Sequence, residues 1–349
     1  RNEGLGVRQN SKCNTVVMFN FLAVFAVAVI AILFALIPSL TSLLKSFSTL
    51  LSSYNTDISS VVSERNITSL TSPPVNHNWV EENFESDNES CDFMSFDFKD
   101  FQSSHTNIST KLFTQPLVLL GFMTNWTARA QWKKSTLKSL FGKRMITSGS
   151  ESSIVFSGGS AGEYKAFSDI IDEMDIHSNI TNGNNFVFDT KILQSIPEFR
   201  KDYFIPSVFR SWHNIETEKS GHSWSILSLG PSHSGLPMHS HGATWLGIVY
   251  GAKRWFVYPP GVSGGVRESD FNPLQPVSQW LDKVLPQLEG LPKPSLPFQG
   301  ARGMGFRPLE CVQRAGQVLY LPNGWVHQTH NMGQTVAVGG QASWAASER

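Results

Sequence analysis

Two histidines in the stretch PSHSGLPMHSHG (231–242) have a spacing that could do chemistry. His239 and His241 stand two apart, so on an extended strand both imidazoles leave the same face. A same-face pair at a strand end is half of a metal site, although histidine pairs are also common on surfaces. His233 lies in the same stretch, six residues before His239. A second motif follows downstream. Residues 316–331 read GQVLYLPNGWVHQTHN, a G-x5-P-x-G-x2-H-x3-N spacing built from Gly316, Pro322, Gly324, His327 and Asn331. His330 is three residues from His327, so on a regular strand it faces the other way. No cysteine lies near these histidines, which excludes a thiolate zinc site. Neither a G-x-S-x-G nor a Walker pattern is present, so hydrolase and nucleotide-binding readings have no support.

The elements that must position these residues are short strands with turn punctuation. Beyond residue 220 the segments SWSILSLG, TWLGIVYG, KRWFVYPPG, LECVQRAG, QVLYLPNG and QTVAVGGQ each read as a strand. YGAKRWFVYPPG reads as a hairpin between the second and third of them. One helical insert, VSQWLDKVLPQLE, precedes a Pro/Gly-rich loop at 290–308. Upstream, QPLVLLGFM reads as a strand bounded by Pro116 and Gly121, and QWKKSTLKSLFGKR as a helix stopped by Gly142. Many short strands at close spacing predict a mainly β sandwich or barrel with flanking helices, a jelly roll being the natural candidate.

The downstream spacing matches the second metal motif of the cupin superfamily. Within the cupins the chain resembles the JmjC (jumonji-C) oxygenases over residues 91–340. The resemblance is carried by QPLVLLGF, the W-x4-L-x3-FG helix, GAKRWFVYPP, the H-x-H-G run and GQVLYLPNGWVHQT. It implies a double-stranded β-helix in which the Pro-x-Gly turn brings His327 to the H-x-H pair. It further implies Fe(II) and 2-oxoglutarate as cofactors. His239 then matches the first metal ligand, His327 the distal one, and Lys253 the partner of a co-substrate carboxylate. Lys253 can equally be a solvated lysine at a hairpin. Asn331 and Thr335 are candidates to line the site. The family has Asp or Glu at the second ligand, where this chain has His241, and the Glu of the first cupin motif is missing, with Trp245 and Leu246 in its place. Three imidazoles also suit Zn(II). The expectations that stand are an oxygenase acting on a protein or peptide, and a catalytically inactive module acting through protein–protein contacts, with or without a metal.

The chain of 349 residues carries 28 basic and 28 acidic side chains, so it lacks the basic excess of a nucleic-acid binder. Arg1 rather than Met stands first, and residues before it are expected. Residues 16–37 are apolar except for Asn20, with no charge between Lys12 and Lys45. At 1.5 Å per residue they span roughly 33 Å, enough to cross a bilayer as a signal-anchor. Arg1, Arg8 and Lys12 precede the span, which places a tail (1–15) in the cytosol and the remainder in a lumen. Asn66, Asn88, Asn107, Asn125 and Asn179 each begin a glycosylation triplet beyond it. A Ser/Thr-rich stalk (38–80) would follow. It carries a heptad seam from Leu40 to Val61, which would pair two copies if it coils, though its poor helix formers favour a flexible tether. Residues 81–220 are assigned to the N-terminal part of the JmjC region and 221–349 to its barrel core. The resembling family includes a type II protein of the endoplasmic reticulum lumen with cysteines at the places of Cys91 and Cys311. A disulfide between these two is expected in that compartment, two separately buried thiols being the alternative.

Overall fold

A computed structural model describes residues 78–80, 91–103, 113–157, 162–176, 186–212, 223–262, 274–297 and 305–342. The chain divides between Val75 and Asn76, and all of these residues belong to the second unit. The apolar run 16–37, the heptad seam and the triplets at Asn66, Asn88, Asn107 and Asn179 lie outside the described residues. Asn125 is exposed in a turn. Among the described residues no helix is long and apolar enough to cross a membrane.

The domain is mainly β, with short helices before and between the strands, in agreement with a cupin/JmjC jelly roll. Its strands are β1 (Met94–Asp97), β2 (Leu117–Leu120), β3 (Met145–Ser148), β4 (Glu163–Ala166), β5 (Val187–Asp189), β6 (Ser223–Gly230), β7 (Thr244–Tyr258), β8 (Leu309–Arg314), β9 (Val318–Leu321) and β10 (Val326–Ala342). Eight of them form one sheet in the order β1-β2-β9-β7-β10-β6-β5, with β8 also paired to β7; β3 and β4 form a separate ribbon. The predicted helix is Lys134–Phe141 and ends at Gly142. The predicted insert is a helix at Val277–Lys283 followed by a 3₁₀ turn.

One expectation is corrected. YGAKRWFVYPPG is not a hairpin: β7 runs unbroken for 15 residues and bends at Gly251. There φ is +75°, and a Cβ would lie 2.3 Å from the Gln334 carbonyl oxygen, so the close approach of β10 and the backbone sign both require glycine. β10 has a bulge between Met332 and Val336 at the same level. The two long strands bend together, and their halves take different outer partners: Thr244–Gly247 pairs with β9, and Ala252–Val257 pairs with β8. Bulges and glycine bends of this kind curl a sheet toward closure.

Two apolar layers hold the sheet. One contains Trp245, stacked on Phe209 with ring centroids 6.0 Å apart, together with the helix residues Trp132, Leu137 and Phe141. The other contains Trp255, Val257, Leu319 and Cys311. Cys311 forms the expected disulfide with Cys91, joining residues 220 apart in sequence. The start of the domain is also fastened. Trp79 is buried and donates its indole N–H to the Trp132 carbonyl at 2.8 Å, and Val80 exchanges hydrogen bonds with Gln334 at the bulge.

Candidate metal centre

The H-x-H segment does not belong to a long strand; it is laid along the first half of β10. His233 donates its backbone N–H to the Asn331 carbonyl at 2.9 Å, Thr329 donates to Leu236 at 3.0 Å, and His239 and His327 exchange both bonds at 3.0 and 2.8 Å. This register sets His239 directly opposite His327. The period of two then brings His241 to the same side. Ring centroids lie 4.3 Å (239–327), 4.7 Å (241–327) and 5.2 Å (239–241) apart. One ligand nitrogen from each of the three rings lies within 4.8 Å of the others.

The tautomers follow from the partners. Each Nδ1 meets a backbone carbonyl: His239 that of Pro237 at 2.6 Å, His241 that of Gly242 at 2.8 Å, and His327 that of Trp325 at 2.9 Å. A carbonyl only accepts, so each Nδ1 carries the proton and each Nε2 presents a lone pair. Burial pushes the His239 ring down to about 3, with help from the neighbouring His241. Burial lowers His241 as well, and lowers His327 further with the two neighbouring rings against it. Three neutral imidazoles with convergent lone pairs, oriented by carbonyls on their far nitrogens, fit a divalent metal ion and leave other coordination positions open.

Lys253 shares the cavity. Its side chain is 2% exposed, and Nζ donates to Asn331 Oδ1 at 2.5 Å while lying 5.3 Å from the centroid of the Phe186 ring. Asn331 stands opposite Lys253 across the sheet and donates in turn to Ser234 Oγ at 2.9 Å. Burial lowers the Lys253 ammonium to about 7, against the favourable charge of Glu151. The cavity is walled mainly by Phe186, Phe188, Ile226, Leu236, Leu246 and Trp255, and holds about 40 Å³. That is room for a few waters rather than for a larger organic ligand.

The cupin-like domain family matches residues 107–339, two thirds of the sequence. The chain belongs to the cupin-like family. It is similar to human (Homo sapiens) JmjC domain-containing protein 8, at 26% identity over 238 residues, covering 65% of this chain and 75% of that protein. It is 29% identical over 270 residues to the lysine-specific demethylase JMJ21 of Arabidopsis thaliana, covering 72% of this chain and 26% of that one. The 2-oxoglutarate and iron-dependent oxygenase JMJD4 of Danio rerio is 25% identical over 239 residues, with coverages of 62% and 52%. The chain thus spans a quarter of one of these enzymes and half of the other.

In this cupin-like domain the site residues read from the sequence separate into two groups. His239, His241, His327 and Lys253 line one cavity, and Asn331 orients the lysine. Thr335 is buried beyond the bulge, opposite Gly230, and does not line that cavity. His233 is exposed at φ +65° with its ring 5.8 Å from His330, on the side of β10 away from the metal ligands. One buried carboxyl near the site has no signal in the sequence. Glu151 is 9% exposed in the shell of the site, and burial pushes its carboxyl up to about 7.

Proposed function

We propose that this chain is a metal-dependent oxygenase of the JmjC type, using Fe(II) and 2-oxoglutarate to hydroxylate a protein or peptide. The observation that carries the reading is the three convergent imidazoles with a buried lysine ammonium in the same cavity. The presence of a 2-oxoglutarate and iron-dependent oxygenase among its relatives supports it. When bound, iron supplies the activation of dioxygen coupled to decarboxylation of the keto acid. The chain's own residues do the rest. Lys253 holds the distal carboxylate of the co-substrate, and Asn331 fixes the direction of its ammonium. The aromatic walls exclude water, which strengthens that ion pair. The backbone carbonyls hold the three imidazoles in the ligating tautomer.

His241 changes the electrostatics. A carboxylate in its place would offset one charge of a divalent ion; an imidazole offsets none. The centre attracts a dianionic co-substrate more strongly, yet opposes loss of further electrons from the metal. Turnover is therefore expected to be slow or narrowly specialised. The same substitution favours a second reading, a metal-bearing or empty module that acts by binding other lumenal proteins, since nitrogen ligands suit Zn(II) at least as well as Fe(II).

The reading extends to topology. The apolar run 16–37, the basic residues before it and the glycosylation triplets after it support a single-pass type II protein of the endoplasmic reticulum membrane with the domain in the lumen. The Cys91–Cys311 disulfide suits an oxidising compartment. The deciding measurement is metal content and 2-oxoglutarate binding of the purified full chain, beside His239→Ala/His327→Ala and Lys253→Met. The expected result is stoichiometric iron with saturable 2-oxoglutarate binding. The double variant should lose both, and Lys253→Met only the co-substrate. Zinc without 2-oxoglutarate binding, or no metal, would overturn the oxygenase and leave the binding module.

A further inference from the structure

The cavity's outer shell contains one buried carboxylate that the proposed chemistry does not use. Glu151 begins the helix Glu151–Ser157, and its two oxygens reach two distant segments. Oε1 accepts the Gly235 N–H at 2.7 Å, and Oε2 accepts the Val277 N–H at 3.3 Å. Gly235 lies in the segment that carries His239, and that segment has no freedom to sit elsewhere on β10. A Cβ at Gly235 would lie 1.8 Å from the Thr329 carbonyl oxygen. With its neighbours bonded inward to β10, the Gly235 N–H is the donor left on the outer edge. Val277 is the first residue of a helix whose N-cap is Pro276 and which has no side-chain cap, so its N–H is an orphan of the helix start. The helix that Glu151 begins places Ile154 against Phe186 and Leu236, two walls of the metal cavity. Glu151 therefore joins the edge of the ligand segment, a neighbouring helix and the cavity wall.

We propose that Glu151 is a positioning residue of the metal centre: its carboxylate holds the segment bearing His239 in register with the strand bearing His327. The inference rests on reading the three imidazoles as metal ligands. Outer partners of this kind typically change metal affinity by about 10–100-fold when removed.

The test uses the full chain with Co(II) as probe, whose visible spectrum reports ligand geometry, and compares Glu151→Gln with Asp189→Asn. Asp189 is an equally buried carboxylate that accepts two backbone N–H bonds, from Lys191 at 2.6 Å and Ile192 at 2.7 Å, but it does not line the metal cavity. It controls for the loss of any buried capping carboxylate. Glu151→Gln presents an NH₂ group to one of two N–H donors; it is expected to weaken Co(II) binding about tenfold or more and to alter its spectrum. Asp189→Asn should lower stability and leave both within about twofold. Deuterium uptake over 233–239 in the metal-free protein should rise in the first variant alone. Unchanged uptake and Co(II) binding in Glu151→Gln, or equal changes in both variants, would overturn the inference. If the wild-type chain takes no Co(II), the oxygenase reading falls, while the uptake still decides what Glu151 holds. Should Glu151→Gln fail to fold, Glu151→Asp, one methylene short of reaching both donors, is read by the same criteria.

Discussion

His330 shows how one residue's environment overrides its type. It sits one strand-step out of phase with the metal ligands, half-buried beside His233, Arg254 and Lys253. Burial lowers its ring to about 4, and those neighbouring positive charges add to the effect. The folded ring thus binds its proton less readily than the unfolded one, whose ordinary value is 6.5. Its contribution to stability is complete above pH 6.5 and is lost as pH falls toward 4, at most about 3 kcal/mol. Thermal unfolding of the metal-free protein from pH 7 to 4.5 should show a shallower loss in His330→Gln than in the wild type; parallel curves would contradict the assignment. At this scale the cluster of three imidazoles was legible, because H-x-H sets two rings on one side of a strand and the resemblance implied that the P-x-G turn brings His327 to them. Glu151 was not. A glutamate in SGSESS looks like a solvated helix start, and only tertiary contact reveals that both its oxygens are engaged.

At the scale of elements, period and punctuation located the strands but not their continuity. Gly251 reads as a turn because glycine usually marks one. Here it and Gly333 both have positive φ inside strands that continue past them. What keeps the strands whole is the partner: β10 follows β7 on both sides of the bend. The disulfide, expected from the compartment and from the resemblance, likewise depends on the fold, which brings the start of the domain beside β8. Gly251→Ala should be among the costlier methyl additions, since the added Cβ meets backbone 2.3 Å away at a conformation L-residues disfavour. We expect a loss of about 2 kcal/mol or more in denaturant unfolding, with weaker 2-oxoglutarate binding because Lys253 follows two residues later. A near-neutral change would mean that the bend is not fixed by its close approach to Gln334.

For the molecule as a whole, the Cys91–Cys311 bridge encloses β1 through β7 and the first residues of β8, with His239, His241 and Lys253 inside the loop and His327 and Asn331 on β10 beyond it. In the chain-entropy picture a loop of this length stabilises the fold by about 5 kcal/mol. Reduction under native conditions should lower the unfolding midpoint of the wild type, and Cys91→Ser/Cys311→Ser should reproduce the reduced value. An unchanged midpoint would mean the bridge adds nothing to stability. The sequence made this scale least legible, because it depends on which distant segments meet. The bridge also decides what happens when the protein is pulled. Load applied through the residues ahead of Asn78 meets the paired hydrogen bonds between Val80 and Gln334 before it reaches Cys91. The covalent loop behind that point cannot lengthen. Roughly 750 Å of contour, the 220 residues between the sulfurs at about 3.4 Å each, stays hidden from any stretching force until a reductant opens it. Held at its two ends, the domain has two lengths, and the thiol–disulfide balance of its surroundings selects between them.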